Sequence, residues 1–388
     1  MSEDEPLAHE PGPTIDLSRR RGSHAKSDVT REHARLHVLR HSMGGARRAA
    51  APYVTMTRIA LTRLSRDRQA RAGGIVLALF VLMGIFSDVL ASDLPIMCRW
   101  HGTTYWMPNV VRPAGLVGVD HARMQRERRR GDWSIDPLVA HGPMEPGGPT
   151  DVLIAPLASG HPLGTDAHGR DVFARVVHGA RTGLGIAFAA SILLVAVGVT
   201  LGALAGFAGG IIDALVARVV ESLTAIPTLV LVLVVEALAP HPTTLTLLGT
   251  IALTRWTELA RLVRAEVLLA LGADYVTAAR ALGASPPRVL WRHVLPNAVG
   301  PAIVGATFAV AWVVLVEATI DFLRVGSPGG MASWGELMGE ARSHADAWWL
   351  VAFPGAALLV ILVALYLVGE AARNALDPRL RGEELMRA

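Results

Sequence analysis

His161, Asp166, His168 and Asp171 carry, in one short stretch, the imidazole and carboxylate groups that bind divalent metals. Their spacing matches no compact ligand set, and Gly164 and Gly169 among them read as turn residues, so no metal site is expected. The stretch suits a structural role better, with Gly164, Asp166, Gly169, Arg170 and Asp171 on the outward face. Asp171 can cap a helix over Val172 to Gly179 that lies along the outer membrane surface. Glu221, Glu317 and Asp321 form a second group, carboxylates set in apolar runs, where ionisable side chains are costly and default to candidates for a solute pathway. Asp321 and Arg324, at i and i+3, either pair as an interfacial anchor or line that path. Glu236, Glu258 and Glu370 fall at span ends, where water or headgroups account for them. No catalytic residue is expected, because the apolar runs hold neither a nucleophile with its base nor a His-Glu-x-x-His zinc motif. Lys26 is the single lysine and no glycine-rich loop precedes it, which excludes a phosphate-binding loop of the usual type. The single cysteine, Cys98, excludes an internal disulfide and a multi-thiolate site and reads as a small half-buried residue.

These groups must be positioned by an apolar chain. Of the 388 residues 52% are hydrophobic and the mean hydropathy is +0.39, too apolar for an ordinary soluble domain. An all-α integral membrane protein with six transmembrane helices is expected. The spans run Gly73 to Ala91, Leu184 to Ala208, Ala217 to Leu238 with a kink at Pro227, Thr243 to Leu262, Ala298 to Leu323 and Trp348 to Gly369. Residues 1–72 read as a disordered basic extension, with residues 57–71 as an interfacial helix and no apolar run placed to serve as a signal peptide. Dense arginine before the first span puts the N-terminus in the cytoplasm, and counting crossings puts the tail, 371–388, there too. The long polar segment 92–181 is expected outside, since the positive-inside rule loses force in loops beyond roughly 60 residues, and 182–370 forms a five-helix core.

Between the fourth and fifth spans, residues 264–297 read as a helical hairpin. Val267, Leu268, Leu271, Tyr275, Ala278 and Leu282 have helical spacing, Gly283 suits a left-handed helix end, and Ser285 can cap a second helix with Pro286 at its first position. Arg280, Arg288 and Arg292 could meet phosphates in a DNA-reading helix-turn-helix, but such a module is not expected between bilayer-length apolar segments, so no nucleic acid is expected. A polar, basic hairpin wedged between spans is a docking surface for a cytoplasmic partner.

At Ala278, Ala279 and Gly283 the hairpin resembles the coupling loop of bacterial ABC-importer permeases, matching the Ala-Ala and Gly of the Glu-Ala-Ala…Gly motif, with Thr277 in place of Glu. His161 to Asp166, Gly169 to Phe173, Phe322 and Leu323 with Ser333 to Gly335, and Leu376 to Arg381 resemble the dipeptide and oligopeptide permease branch, in its order. Asp93 to Ile96, with Gly102, Tyr105 and Pro108, is similar to the microcin C and longer-peptide subtype. The resemblance covers about 160–382 and implies a permease half of a peptide importer in the bacterial cytoplasmic membrane. It implies a sister permease as heterodimer partner, two ABC ATPase subunits that carry ATP and Mg, an extracytoplasmic solute-binding protein and surrounding membrane lipid. No cofactor is expected on this chain itself. Coupling would fall to Thr277, Ala278, Ala279, Arg280, Gly283, Arg288, His293 and Pro296, and Glu317 matches a family acidic position. A secondary transporter, the alternative, would need inverted repeats and a proton or sodium site, and no internal repeat is visible.

Overall fold

The computed structural model describes residues 64–158, 160–325 and 330–376. Most of the extension expected over 1–72, and the tail beyond Leu376, lie outside them. Helix α1 (Arg68–Ile85) starts where the Asp67 carboxylate accepts hydrogen bonds from the Gln69 and Ala70 amides at 2.7 and 2.9 Å, ahead of the expected Gly73. A short α2 (Ser87–Leu90) then carries the chain to Ala91.

Residues expected as a plain polar segment fold into a small structure of their own. Strands β1 (Met97–Trp100) and β2 (Thr103–Trp106) pair as a hairpin, α3 (Pro108–Val111) and α4 (His121–Arg126) follow, and β3 (Trp133–Ile135) pairs antiparallel with β1, giving the order β2-β1-β3. Leu94, Cys98, Trp100, Leu116 and Met124 make its core. Cys98 is 1% exposed rather than half-buried, and burial, aided by Asp136 and Asp132, pushes its thiol up to about 11. Such a thiol is inert at neutral pH.

The separate surface helix expected from Val172 to Gly179 is instead the beginning of α5 (Val172–Ala208), continuous over 37 residues, or about 55 Å at about 1.5 Å per residue. Gly179 does not break it, because a Cβ there would lie 2.7 Å from Trp334 Cδ1 and the indole packs on the bare backbone. Asp171 caps it as expected, accepting from the Ala174 amide at 2.8 Å. Helices α6 (Gly210–Thr224) and α7 (Thr228–Leu238) meet at a 79° bend with Pro227 as the cap of α7, so the expected kink is a break. Then come α8 (Thr244–Leu271), α9 (Asp274–Ala281) and α10 (Pro286–Val289), a π-helical turn over Leu290–Val294, α11 (Leu295–Leu323), α12 (Trp334–Glu340) and α13 (Trp349–Leu376).

Among the described residues, four helical runs are long and apolar enough to cross a membrane: α1, α5, α10 through α11, and α13. The bent α6–α7 pair makes a fifth. Six spans are expected from the sequence, and the difference is α8, whose 28 residues include Arg255, Glu258, Arg261, Arg264 and Glu266. Glu236, read as a solvated span end, is 1% exposed and accepts a hydrogen bond from the Thr250 hydroxyl at 2.9 Å, fastening α7 to α8.

Helix α5 is the axis of the bundle. Gly198, Gly202 and Gly206 recur every four residues on the side that meets α8, where added Cβ atoms would lie 2.9 Å from Leu259 Cβ, 2.5 Å from the Ala260 carbonyl oxygen and 2.9 Å from Val267 Cγ1. Small residues at this spacing let two helix backbones close together where apolar burial gives no drive in lipid. Gly202→Leu is therefore expected to separate α5 from α8. Overpacking of this kind costs about 1–3 kcal/mol, and the obstacle here is backbone. Thermal unfolding of the detergent-solubilised subunit should fall clearly for Gly202→Leu and little for Gly185→Leu, which meets open space.

Candidate functional site

The hairpin closes by backbone chemistry. Gly283 has φ +84°, its amide donates to the Arg280 carbonyl at 2.9 Å, and the Ala284 amide donates to the Ala279 carbonyl at 3.0 Å. Those two bonds complete a Schellman turn, which needs a residue free to adopt positive φ at that place. Ser285 is extended at φ −66° and ψ 152° and makes no side-chain cap, whereas Pro286 does open α10. The expected continuous apolar stripe does not form, because the chain breaks at Gly272 and Ala273 and α9 starts on a new axis. Val267 and Val276 are fully buried anchors, while Tyr275 and Leu282 are 42% and 89% exposed.

Thr277, Ala278, Arg280, Gly283 and Arg288 line the open side, and Ala279, His293 and Pro296 are half-buried at its base. Trp291, 68% exposed, joins Leu282 as an apolar knob on this polar surface. A tryptophan read only as part of the helix pattern gave no sequence signal of that exposure. The Asn297 amide donates to the Tyr275 hydroxyl at 3.0 Å and to the His293 carbonyl at 2.7 Å, stapling α9 to the start of α11. On the other flank Arg264 grips Asp213 with two hydrogen bonds at 2.5 and 2.6 Å, holding α8 to α6.

At the far end of α5, the Gly164-to-Asp171 strip builds a buried ion cluster. Asp166 Oδ2 accepts from Arg170 Nε at 2.6 Å and from Arg175 Nη1 at 2.5 Å, and Glu340 Oε1 accepts from Arg170 Nη2 at 2.7 Å and Arg175 Nη1 at 2.8 Å. Glu336 adds a contact to Arg175 at 2.6 Å. Burial works to raise the Asp166 carboxyl, but Arg175, Arg170 and two backbone amides outweigh it and hold the group below its ordinary value. Asp171 also bonds His161 Nδ1 at 2.7 Å. Gly164 and Gly169 are the turns expected, at φ +82° and +73°, with no room for a Cβ against Ile154 and Gly147.

Asp166, His168 and Glu340 come close enough to share a cation. Both acids, however, already point oxygens at two guanidinium groups, whose fixed positive charge opposes a metal ion. Arg175, Glu336 and Glu340 are absent from the sequence reading of this site. Their signal was present only as an i, i+4 acid pair after Trp334 and an arginine one turn into α5.

Of the three carboxylates singled out as pathway candidates, Glu317 and Asp321 are brought together and Glu221 is not. Glu221 lies exposed on α6 beside Arg218, at 3.2 Å. Glu317 and Asp321 are 2% and 5% exposed, packed between α11 and α12, where Glu317 contacts Asp321 and Ser333. Asp321 thus sits inside the bundle, while Arg324 is exposed and closes α11 in the left-handed conformation at φ +56°.

Residues 198–382, which hold the hairpin and its flanking spans, match the family described as binding-protein-dependent transport system inner membrane component. A Brucella suis protein provisionally named as a peptide transport system permease is 39% identical over 225 residues, 58% of this chain and 75% of the relative. The oligopeptide transport system permease protein OppC of Bacillus subtilis is 28% identical over 339 residues, 87% of this chain and 94% of its own. The di/tripeptide transport system permease protein DppC of Pseudomonas aeruginosa is 36% identical over 220 residues, 56% and 72% of the two chains. The chain belongs to the dipeptide/oligopeptide permease family. It is a multi-pass inner-membrane component and a permease subunit of a binding-protein-dependent transporter, a class that works with ATPase and binding-protein partners.

The ion cluster of this permease makes a direct prediction. Arg175→Met leaves Asp166 and Glu340 buried without their main counter-charge, a loss of about 3–5 kcal/mol for one partner of a buried pair. The solubilised subunit should lose folded yield, and adding Asp166→Asn should recover part of it. Because the folded carboxyl of Asp166 lies below its ordinary value of 3.8, its stabilisation is present above that pH and is lost as pH falls through the lower folded value. Asp166→Asn should therefore flatten the acid limb of the unfolding profile.

Proposed function

We propose that this subunit is one membrane half of an ATP-driven importer of peptides, coupled through residues 264–297 to a separate ATPase. The observation that carries the reading is the hairpin itself, a Schellman-closed turn that offers Leu282 and Trp291 as apolar knobs while Val276 and the Asn297 staple hold its base. A rigid, exposed, mixed apolar and basic surface between two membrane runs is what a moving partner needs in order to push on the bundle. The peptide-permease names of the relatives support the substrate class.

In this reading the partners are a sister permease in a heterodimer, two ABC ATPase subunits that bind ATP and Mg, and an extracytoplasmic solute-binding protein, all within membrane lipid. Closure of the ATPases on ATP rocks the bundle from inward-facing to outward-facing, and the binding protein delivers solute to the side of the 92–181 segment. Both termini and Arg280 face the cytoplasm, and His161 and Gly330 face outward. Glu317 is the acid that this reading assigns to the pathway wall, and Glu317→Gln with full uptake would remove it.

Two measurements test the proposal. Gly283→Asp forces a side chain onto positive φ, at about 1–2 kcal/mol for the strained residue, and adds charge to the docking face. It should leave the subunit in the membrane at normal abundance while uptake falls and ATP hydrolysis no longer responds to loaded binding protein; unaltered uptake and coupling would refute it. Single-cysteine labelling in a Cys98→Ser background should reach positions 330 and 157, the latter 87% exposed close to His161, from outside in intact cells and position 280 only after the membrane is opened.

A further inference from the structure

Helix α8 is 28 residues long, about 42 Å at about 1.5 Å per residue, enough to cross a bilayer of about 30 Å. Its charged residues have different answers. Arg264 is held by Asp213, and Arg261 and Glu266 fall in the last turns, toward the hairpin. Arg255 and Glu258 are the twelfth and fifteenth residues counted from Thr244, at the middle of the helix.

Arg255 and Glu258 pair with each other, yet their side chains stay 21% and 50% exposed. Both line a cavity of about 250 Å³ with Leu194, Leu259, Gly305 and Phe308, and the Arg255 guanidinium lies 4.4 Å from the centroid of the Trp312 ring. Gly305 keeps the wall thin, since a Cβ there would stand 3.1 Å from Leu259 Cδ1. Half-open charges at mid-helix in a membrane bundle cannot face hydrocarbon without a large penalty; they face water, a partner or a solute.

We propose that this cavity between α5, α8 and α11 is a solute site of the membrane pathway, and that it takes a short zwitterionic peptide. The peptide carboxylate displaces Glu258 from the Arg255 guanidinium, its ammonium takes Glu258, and Trp312 and Phe308 pack against what lies between. Each side chain exchanges an intramolecular ion pair for a charge-assisted hydrogen bond to the solute, so binding leaves no charge stranded. The volume, below the roughly 300–1,000 Å³ of drug-sized sites, suits a peptide of two or three small residues or one end of a longer one. Glu317 and Asp321, buried elsewhere on α11, do not line it. The choice of a peptide as ligand rests on the proposed function; the open, charged cavity at Arg255 and Glu258 does not.

The test uses the assembled transporter in two arms. In a Cys98→Ser background, Ala309→Cys lines the cavity and should be modified by a small, charged methanethiosulfonate reagent, and trialanine should slow the modification. In the second arm, uptake of trialanine is compared with its N-acetyl and C-amide derivatives, using one binding protein throughout. Glu258→Gln should erase the preference for a free amino end and Arg255→Gln the preference for a free carboxylate, each by about 10- to 100-fold, the worth of one hydrogen bond to a charged group. Glu258→Asp and Arg255→Lys, present at equal membrane abundance, should keep part of it. Failure of the reagent to modify position 309 would overturn the site whatever the solute. Modification with unchanged discrimination in both glutamine variants would overturn the peptide contact. A wild-type transporter that takes up none of the three peptides, with position 309 still modified, would overturn the peptide function and leave the aqueous site standing.

Discussion

Arg175 is a full charge with no exposed surface, set one turn inside a 37-residue apolar helix, and the bundle is organised around satisfying it. An isolated buried guanidinium is untenable, so Asp166, Glu336 and Glu340 must arrive together. Asp166 comes from the turn ahead of α5 and the two glutamates from successive turns of α12, which ties the start of α5 to a helix 165 residues further along the chain. The Trp349 indole donating to the Thr165 carbonyl at 2.9 Å, and the Trp334 indole donating to the Val176 carbonyl at 2.9 Å, pin α13 and α12 to the same end. Gly335 completes the fit, because any Cβ there would collide with the Ala318 carbonyl of α11.

From that fixed end, placement passes along α5 to the other side of the bundle. The Gly198, Gly202 and Gly206 ridge sets α8 against α5 at backbone distance, and the Arg264 to Asp213 bond sets α6 beside α8. The hairpin then emerges from α8 with its base held by Val276 and Asn297. Packed elements with few alternative arrangements transmit displacement well, so under the proposed function the same contacts that hold the fold carry force between its two ends.

Much of this was legible in sequence. Helix runs, a disturbance at Pro227 though not its 79° break, the Gly283 turn and the Asp171 cap all rest on local chemistry, where residue type dictates backbone conformation. The pairings were not legible. Arg175 and Glu340 are 165 residues apart and neither has a local partner that announces the other. The small β-sheet after α2 was hidden because strands of three or four residues leave too short a period to read. Hydropathy marks where an apolar run stops, which puts Glu236 and Glu258 at solvated span ends, but Glu236 is buried against Thr250 and Glu258, half-open, stands at the middle of α8 because that helix runs on to Leu271. The stripe through Tyr275 and Leu282 failed for a similar reason: helical spacing carries across a two-residue break that the axis does not.

Under the proposed function the 264–297 hairpin is the surface on which an ATPase bears. Leu282, 89% exposed at the tip, is the residue to ask. With Leu282→Cys in a Cys98→Ser subunit, a short bifunctional thiol reagent applied to the membrane-assembled transporter should link this chain to the ATPase, and ATP binding should change the yield. A cysteine at position 282 that is freely modified, never links to an ATPase and leaves transport intact when a bulky adduct is attached would contradict the account.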